Sequence, residues 1–424
     1  MKKLGLLILT PSLLLFSLSC ISLSTPISAT PEQIATQSQP FILSTPLAGL
    51  VYSVYNEENN DTAVWQIDGD GKSKLLLPNH YFGMLSSDKN QFVYYDNFWN
   101  SSSPCTWLLD FRLNKTQSLD CSTGEGSLPA DILGWPPNKP NTLIAILNQS
   151  GGEMGGAWGV LGTISLENGD KEILDSIHSI QSVEISPSGN MIAYGSNDFQ
   201  TSKSSGWLYS WDSGVISFTP QDYGVNYPQI SNPVWSPDGT KIVWGLMDDE
   251  FNSAIGVFEL DKKTAKVLHP FKQEIMPDLR PSPPSSFLSP DGQFLAVHAV
   301  SKNQSEWWII RMDDGTEYKI NGEFNSWSPD GQWLLYTTYP ELYIVRSGES
   351  EIKKLGEIDN YGYSRTVLWD KDGRYLVFVN NDKKISYVNI GTWEVNKVTG
   401  IEEVSNLIDW VAPISTFFKV ESLP

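Results

Sequence analysis

The chain has 424 residues, a formal net charge of −20, and 16 Trp beside 17 each of Tyr and Phe. With 40% hydrophobic and only 18% charged residues, the composition excludes a disordered chain and supplies a sizeable buried core. The acidic excess excludes a nucleic-acid binder, because phosphate-backbone interfaces need clustered Lys and Arg.

The N-terminus carries the three parts of an export signal. Lys2 and Lys3 are the positive end, Leu4 to Leu18 is an apolar run interrupted at Thr10-Pro11-Ser12, and small residues follow. The run is too short and too broken for a membrane-spanning helix. Two processing sites compete. Ser17-Leu18-Ser19-Cys20 resembles a bacterial lipobox, which implies a diacylglycerol on the Cys20 thiol; Ser17 departs from the Leu usual there. The alternative is cleavage after Ala29, in Ile27-Ser28-Ala29. The expected organisation is a signal over 1–20, a Ser/Thr/Pro-rich tether over 21–46, a folded body over 47–413 and a tail over 414–424. The expected location is extracytoplasmic, lipid-anchored to a bacterial membrane, or otherwise periplasmic or secreted. The anchor is then the only membrane contact.

Cys105 opens one strand-like segment and Cys121 closes the next, with a turn at Asn114-Lys115. The ends of such a hairpin lie together, and an exported compartment permits a disulfide between them. Two free thiols are the alternative.

The body is organised by a repeat. VWSPDGTKIVW from Val234, FLSPDGQFLAV from Phe287 and SWSPDGQWLLY from Ser326 are near copies, with variants from Glu184 and Leu368 and degraded units from Met84 and Gly134. The third turn residue recurs at Asp88, Asn138, Ser188, Asp238, Asp291, Asp330 and Asp372. An apolar residue, often Trp, ends one strand. Pro presets φ in the turn, Asp or Ser caps amides, and Gly239, Gly292, Gly331 and Gly373 accept the left-handed conformation. The strand that follows is apolar at nearly every position, which predicts cover on both faces. Two weaker strands complete each unit, so the repeat is four strands, A to D. No helical periodicity is present.

These features predict an all-β chain, a β-propeller of four-stranded antiparallel blades. Segments LVYSVY, AVWQID and KSKLLLP before the first motif lack a strand A, and VSNLIDWVAP near the end supplies one. The two ends therefore complete one composite blade, giving eight blades, or seven if the unit around Asn138 is not a blade. The W-S-P-D-G repeats resemble those of TolB-like and WD-like propeller proteins, and of the propeller halves of prolyl oligopeptidase and dipeptidyl peptidase enzymes. The resemblance implies the fold and says little of function.

Catalytic signatures are sparse. No G-x-S-x-G elbow occurs, and His80, His178, His269 and His298 fit no metal spacing. Neither a catalytic residue, a cofactor nor a metal is expected. Asp68-Gly69-Asp70-Gly71 resembles a calcium loop but is better read as a C–D hairpin turn. In such blades the A–B and C–D turns share one face of the disc, and the B–C and D–A connections share the other. The latter are the longer and more varied, so that face is the expected binding face. Its candidates are Phe98, Trp99, Met154, Trp158, Phe199, Tyr223, Tyr227, Asp248, Asp249, Glu250, Phe251, Tyr361, Tyr363 and Arg365. The expected function is a monomeric, non-enzymatic scaffold for a protein, peptide or glycan partner. A propeller lyase or glycosidase with carboxylates at the channel mouth is the alternative.

Overall fold

The computed structural model describes residues 46–56, 61–78, 80–96, 104–113, 115–122, 129–151, 157–176, 180–198, 203–250, 252–271, 285–301, 304–358, 366–401 and 403–410. They form eight four-stranded antiparallel sheets arranged as a β-propeller. Blade 1 combines Leu50–Asn56, Asp61–Ile67 and Ser73–Leu77 with Asn406–Trp410 from the other end of the chain. Blades 2 to 8 then follow in sequence, over 80–121, 131–175, 180–218, 229–271, 285–320, 323–357 and 367–397. The degraded unit around Asn138 is a true blade, with Asp131–Gly134 paired to Thr142–Gly151.

Strand B is buried on both sides, as its apolar run dictates. Lys241–Met247 is buried everywhere but its first position, and so is Tyr375–Val379. The A strands of blades 4 and 5, 5 and 6, 8 and 1, and 1 and 2 touch one another, which places A at the axis. D is outermost and contributes least to the core: Val395–Lys397 is exposed throughout. The core lies in the seams between blades. In one of them Leu208 and Phe218 of blade 4 pack with Trp235, Trp244 and Phe258 of blade 5.

Each S-P-D-G turn is closed by its serine. In blade 5 the Ser236 hydroxyl donates to Asp238 Oδ1 (2.5 Å) and accepts the Lys241 N–H (2.9 Å), while Asp238 Oδ1 accepts the Thr240 N–H (3.0 Å). Gly239 is left-handed (φ 70°), and a Cβ on it would stand 3.6 Å from Pro187 of the preceding blade. Stacked turns therefore ring one face of the disc. The motif Trp bonds across the seam as well: Trp235 Nε1 donates to the Glu184 carbonyl (3.2 Å), and Trp327 Nε1 to that of Phe287 (3.2 Å).

Blade 1 closes the ring. Leu50 pairs with Trp410, Tyr52 with Leu407 and Ser53 with Asn406, and Lys89 of blade 2 forms an ion pair with Asp409. Three features were not legible in the sequence pattern. A single turn of 3₁₀ helix, Pro220–Tyr223, interrupts the otherwise all-β described residues. Bulges break the A–B register in blades 1, 2, 3, 4, 5 and 7, as the innermost strands bend. Finally, several connections are shorter than expected, because Thr142–Gly151 and Met191–Asp198 extend into them.

Candidate binding face

The B–C and D–A connections vary far more than the turns opposite. D–A ranges from residues 321–322 to 272–284, whereas every standard S-P-D-G turn occupies a stretch such as 236–240 or 289–293. Blades 6 and 7 have tight B–C turns, so the length is concentrated elsewhere in the ring. Cys105 and Cys121 are joined in a disulfide at this edge of blade 2. They face each other directly across strands C and D, at the roots of connections 97–104 and 122–130.

Five of the expected residues meet at one locus, between blades 4 and 5. Tyr223 lies in the 3₁₀ turn and packs on Phe218 (centroids 5.1 Å) and edge-on against Phe258 (5.4 Å). It serves as a plug for the seam as well as a surface residue. Burial raises the pKa of both Tyr223 and Tyr227 above the ordinary tyrosine value, with the charge of Asp222 adding to the effect at Tyr223 and that of Asp248 at Tyr227. Asp248 is a turn cap: its carboxylate accepts the N–H groups of Glu250 (2.9 Å) and Asn252 (2.8 Å) and the Asn252 carboxamide (3.0 Å). Asp249 and Glu250 stand exposed at the tip. The Asp68 segment closes the same way, with Asp68 Oδ1 accepting from Asp70 N (2.9 Å) and Lys72 N (2.8 Å). Among the described residues no group of three or more His, Cys, Asp or Glu is placed to hold a metal ion.

Cys20, Phe98, Trp99, Met154, Phe199, Phe251, Tyr361, Tyr363 and Arg365 lie outside the described residues. Trp158 belongs to strand Ala157–Ser165, where its backbone pairs with Ser150. Asp238, Asp291 and Asp330 cap the turns of blades 5, 6 and 7, and Asp372 receives Arg374 in blade 8 (2.6 Å). The four glycines beside them are all left-handed.

Two acid–aromatic pairs on this face were not anticipated. Asp131 opens strand A of blade 3 and accepts the Tyr95 hydroxyl of blade 2 (3.3 Å), while that hydroxyl accepts the Ile132 N–H (2.7 Å). Burial pushes the Asp131 carboxyl up to about 6. Glu323 opens strand A of blade 7 and accepts Trp307 Nε1 of blade 6 (2.7 Å). His298 stacks on Trp307 (4.8 Å); its pKa is lowered by burial against an opposing pull from Glu323. Nearby, in the B–C turn of blade 7, Tyr339 is 63% exposed. The sequence signal was an acid at the first position of a strand A, a pattern invisible until strand A has a defined start.

No family model matches the chain. Two curated relatives match short stretches: a protein of Sulfurisphaera tokodaii described as a Tricorn-like protease C-terminal subunit, 32% identical over 115 residues (23% of this chain, 13% of the relative), and a Tricorn protease homolog of Saccharolobus solfataricus, 33% identical over 120 residues (23% and 10%). The chain thus spans about an eighth or less of either relative's length. Among solved structures it is similar to TolB from Acinetobacter baumannii, with 15% identity, a TM-score of 0.36, and 73% of this chain and 66% of that one covered. A functionally unknown protein from Desulfotomaculum acetoxidans aligns with 14% identity and a TM-score of 0.44, over 86% of this chain and 100% of that one.

Proposed function

We propose that this chain is a lipid-anchored, non-enzymatic β-propeller that holds a protein, peptide or glycan partner at the cell envelope through its B–C/D–A face. The observation that carries the reading is the asymmetry of the disc. One face is a ring of short turns, with a serine or acid locking the A–B turns of blades 2 and 4 to 8, and the other bears connections of unequal length on the same rigid strands. Such a division, with variable loops on a fixed scaffold, is the usual build of a recognition surface. Tyr223, Tyr227, Asp249 and Glu250 supply one aromatic and acidic sector of it, suited to a partner with basic or aromatic groups.

A glycosidase requires two carboxylates within roughly 5–10 Å of each other. Asp131 and Glu323 open strand A in blades 3 and 7, on opposite sides of the ring. A second reading, a propeller that serves a protease, rests on the short Tricorn-type matches.

The test is capture of cross-linked partners from native envelopes. Replacing residues 272–284 by a Gly/Ser segment of equal length should remove the partner, whereas Lys353→Ala on the opposite face should retain it. Equal capture by both variants defeats the reading, and a protease among the captured proteins selects the second one. Cys20→Ala should move the chain from the membrane fraction to the soluble one.

A further inference from the structure

The face of tight turns departs from its own repeat in blade 7, and the other blades show how. The residue after strand C gives its N–H to the A–B turn of its own blade: Phe111 to Asn90 O, Leu166 to Asn141 O, Met312 to Gln293 O and Ile390 to Arg374 O, all at 2.8–2.9 Å. Trp211 and Leu260 fill the corresponding places in blades 4 and 5. All six side chains pack into the seam with the preceding blade. They are plugs.

In blade 1, which has no A–B turn, Asp68 stands in that place and gives its N–H to Lys72 O; in blade 7, which has the turn, the plug is missing. Its place is taken by Ser347, whose N–H reaches Gln332 O (2.8 Å) as the pattern requires and whose hydroxyl donates to Gly331 O (2.9 Å). Trp211 Nε1 makes the equivalent bond to Gly189 O (2.8 Å), but with an indole covering the seam. Between blades 6 and 7 a cavity of about 310 Å³ opens instead.

Its walls are polar and already matched to one another. Arg346 binds Glu349 (3.3 Å) and the Gln332 carboxamide oxygen (3.4 Å), and Asp291 Oδ1 holds the Ser289 hydroxyl (2.6 Å) and Gln293 N–H (3.0 Å). Two carboxylates against one guanidinium disfavour an anion. The carboxamides offer both donors and acceptors, and Phe294, only 9% exposed, adds a narrow apolar edge. That volume is at the small end of ligand pockets, which run to roughly 300–1,000 Å³. A sugar ring fits this chemistry, because its hydroxyls both donate and accept.

We propose that the unplugged seam between blades 6 and 7 binds a single neutral sugar residue, on the face opposite to the partner surface proposed above. The test is saturation-transfer NMR on the full chain with methyl glycosides of glucose, galactose and N-acetylglucosamine, and with lysine methyl ester as a cationic probe. Saturation of ring protons in at least one glycoside is expected. Ser347→Leu, which restores the residue found at 166 and 260, should abolish it while leaving the circular dichroism spectrum intact. Gln332→Ala, a milder change that leaves the plug site alone, should weaken binding by about tenfold, the worth of one good polar contact. Absence of transfer from every glycoside, transfer undiminished in both variants, or transfer from the lysine ester alone overturns the proposal. None of these readouts depends on residues 272–284, so the two proposals fail separately.

Discussion

A serine hydroxyl sets the geometry of the repeat turn in blades 2, 4, 5, 6 and 7. Ser289 is fully buried, accepts the Phe294 N–H (2.9 Å) and donates to Asp291 (2.6 Å). Ser289→Ala strands that N–H away from water, so unfolding in urea should show a loss of about 1–3 kcal/mol with an unchanged m-value. An exposed Ser→Ala control such as Ser213 should be neutral. Pro, Asp and Gly were legible as turn formers because each acts through its own backbone or its nearest amide. Ser was legible as an amide cap, but not which amide the first serine holds, since that partner lies five residues on and is brought up only by the closed turn. A second residue-scale effect concerns Asp131, whose folded pKa is raised by burial from 3.8 to about 6. The native state then binds the proton more tightly than the unfolded chain, so this group's contribution is most favourable below pH 3.8 and is lost as pH rises to about 6. Asp131→Asn keeps an acceptor for the Tyr95 hydroxyl and removes the charge. Its melting temperature should match wild type near pH 4 and exceed it at pH 7, by an amount equivalent to on the order of 2 kcal/mol. At the turn acids Asp88, Asp110 and Asp238, partial burial is outweighed by hydrogen bonds to the charged form, and the pKa falls below the ordinary carboxylate value. They act in the opposite sense, losing their contribution at low pH in both proteins, so the difference between the two curves isolates Asp131.

Elements differ in how plainly they can be read. Strand B was legible because burial on both faces demands an unbroken apolar run, and Lys241–Met247 or Phe294–Ser301 has one. Strand D was only faintly so: Thr264–Phe271 buries one residue in eight, leaving little pattern beyond a turn before it. The bulges of strand A answer to the curvature of the closed ring, a constraint no single strand encodes. The C–D turn of blade 8 breaks a local rule, placing Trp393 at φ 61° where blades 3, 4 and 6 use Gly169, Gly214 and Gly315. The indole gains contacts with Trp333 (5.1 Å) and Lys353 (4.0 Å) in return. The hairpin of blade 2 yields the test at this scale. Its disulfide closes 16 residues of chain, which in the loop-entropy picture stabilises by about 3 kcal/mol. The double variant Cys105→Ser, Cys121→Ser should keep its circular dichroism spectrum and lose that amount in urea, and wild type in dithiothreitol should match it. An equal midpoint for oxidised and reduced protein would remove the disulfide from the account of stability.

For the molecule as a whole, closure of the ring is the decisive event. Eight blades were legible because the motif numbers them and because the ends of the chain each carried an incomplete set of strands; the proposed binding face was legible only as a class of loops, since recognition depends on which side chains those loops present. Blade 1 has no covalent A–B turn. Its inner strand Asn406–Trp410 pairs with Leu50–Asn56, and Leu407 packs in one cluster with Leu50, Tyr52, Leu368 and Val377, which spans blades 8 and 1. The Lys89–Asp409 ion pair adds below about 1 kcal/mol, because both partners keep solvent contact. Pairing and burial therefore do most of the closing. Ending the chain after Gly400 removes that strand, bares the inner edge of Leu50–Asn56 and exposes the cluster between blades 8 and 1. An unpaired strand edge beside apolar surface recruits other chains, so the truncated protein should elute as oligomers in size-exclusion chromatography and melt over a broader range. Asp409→Asn, which removes only the ion pair, should stay at the wild-type elution volume and lose little stability. A truncated chain that remains monomeric with the wild-type melting temperature would mean the seven remaining blades hold the ring without the strand from the C-terminal end.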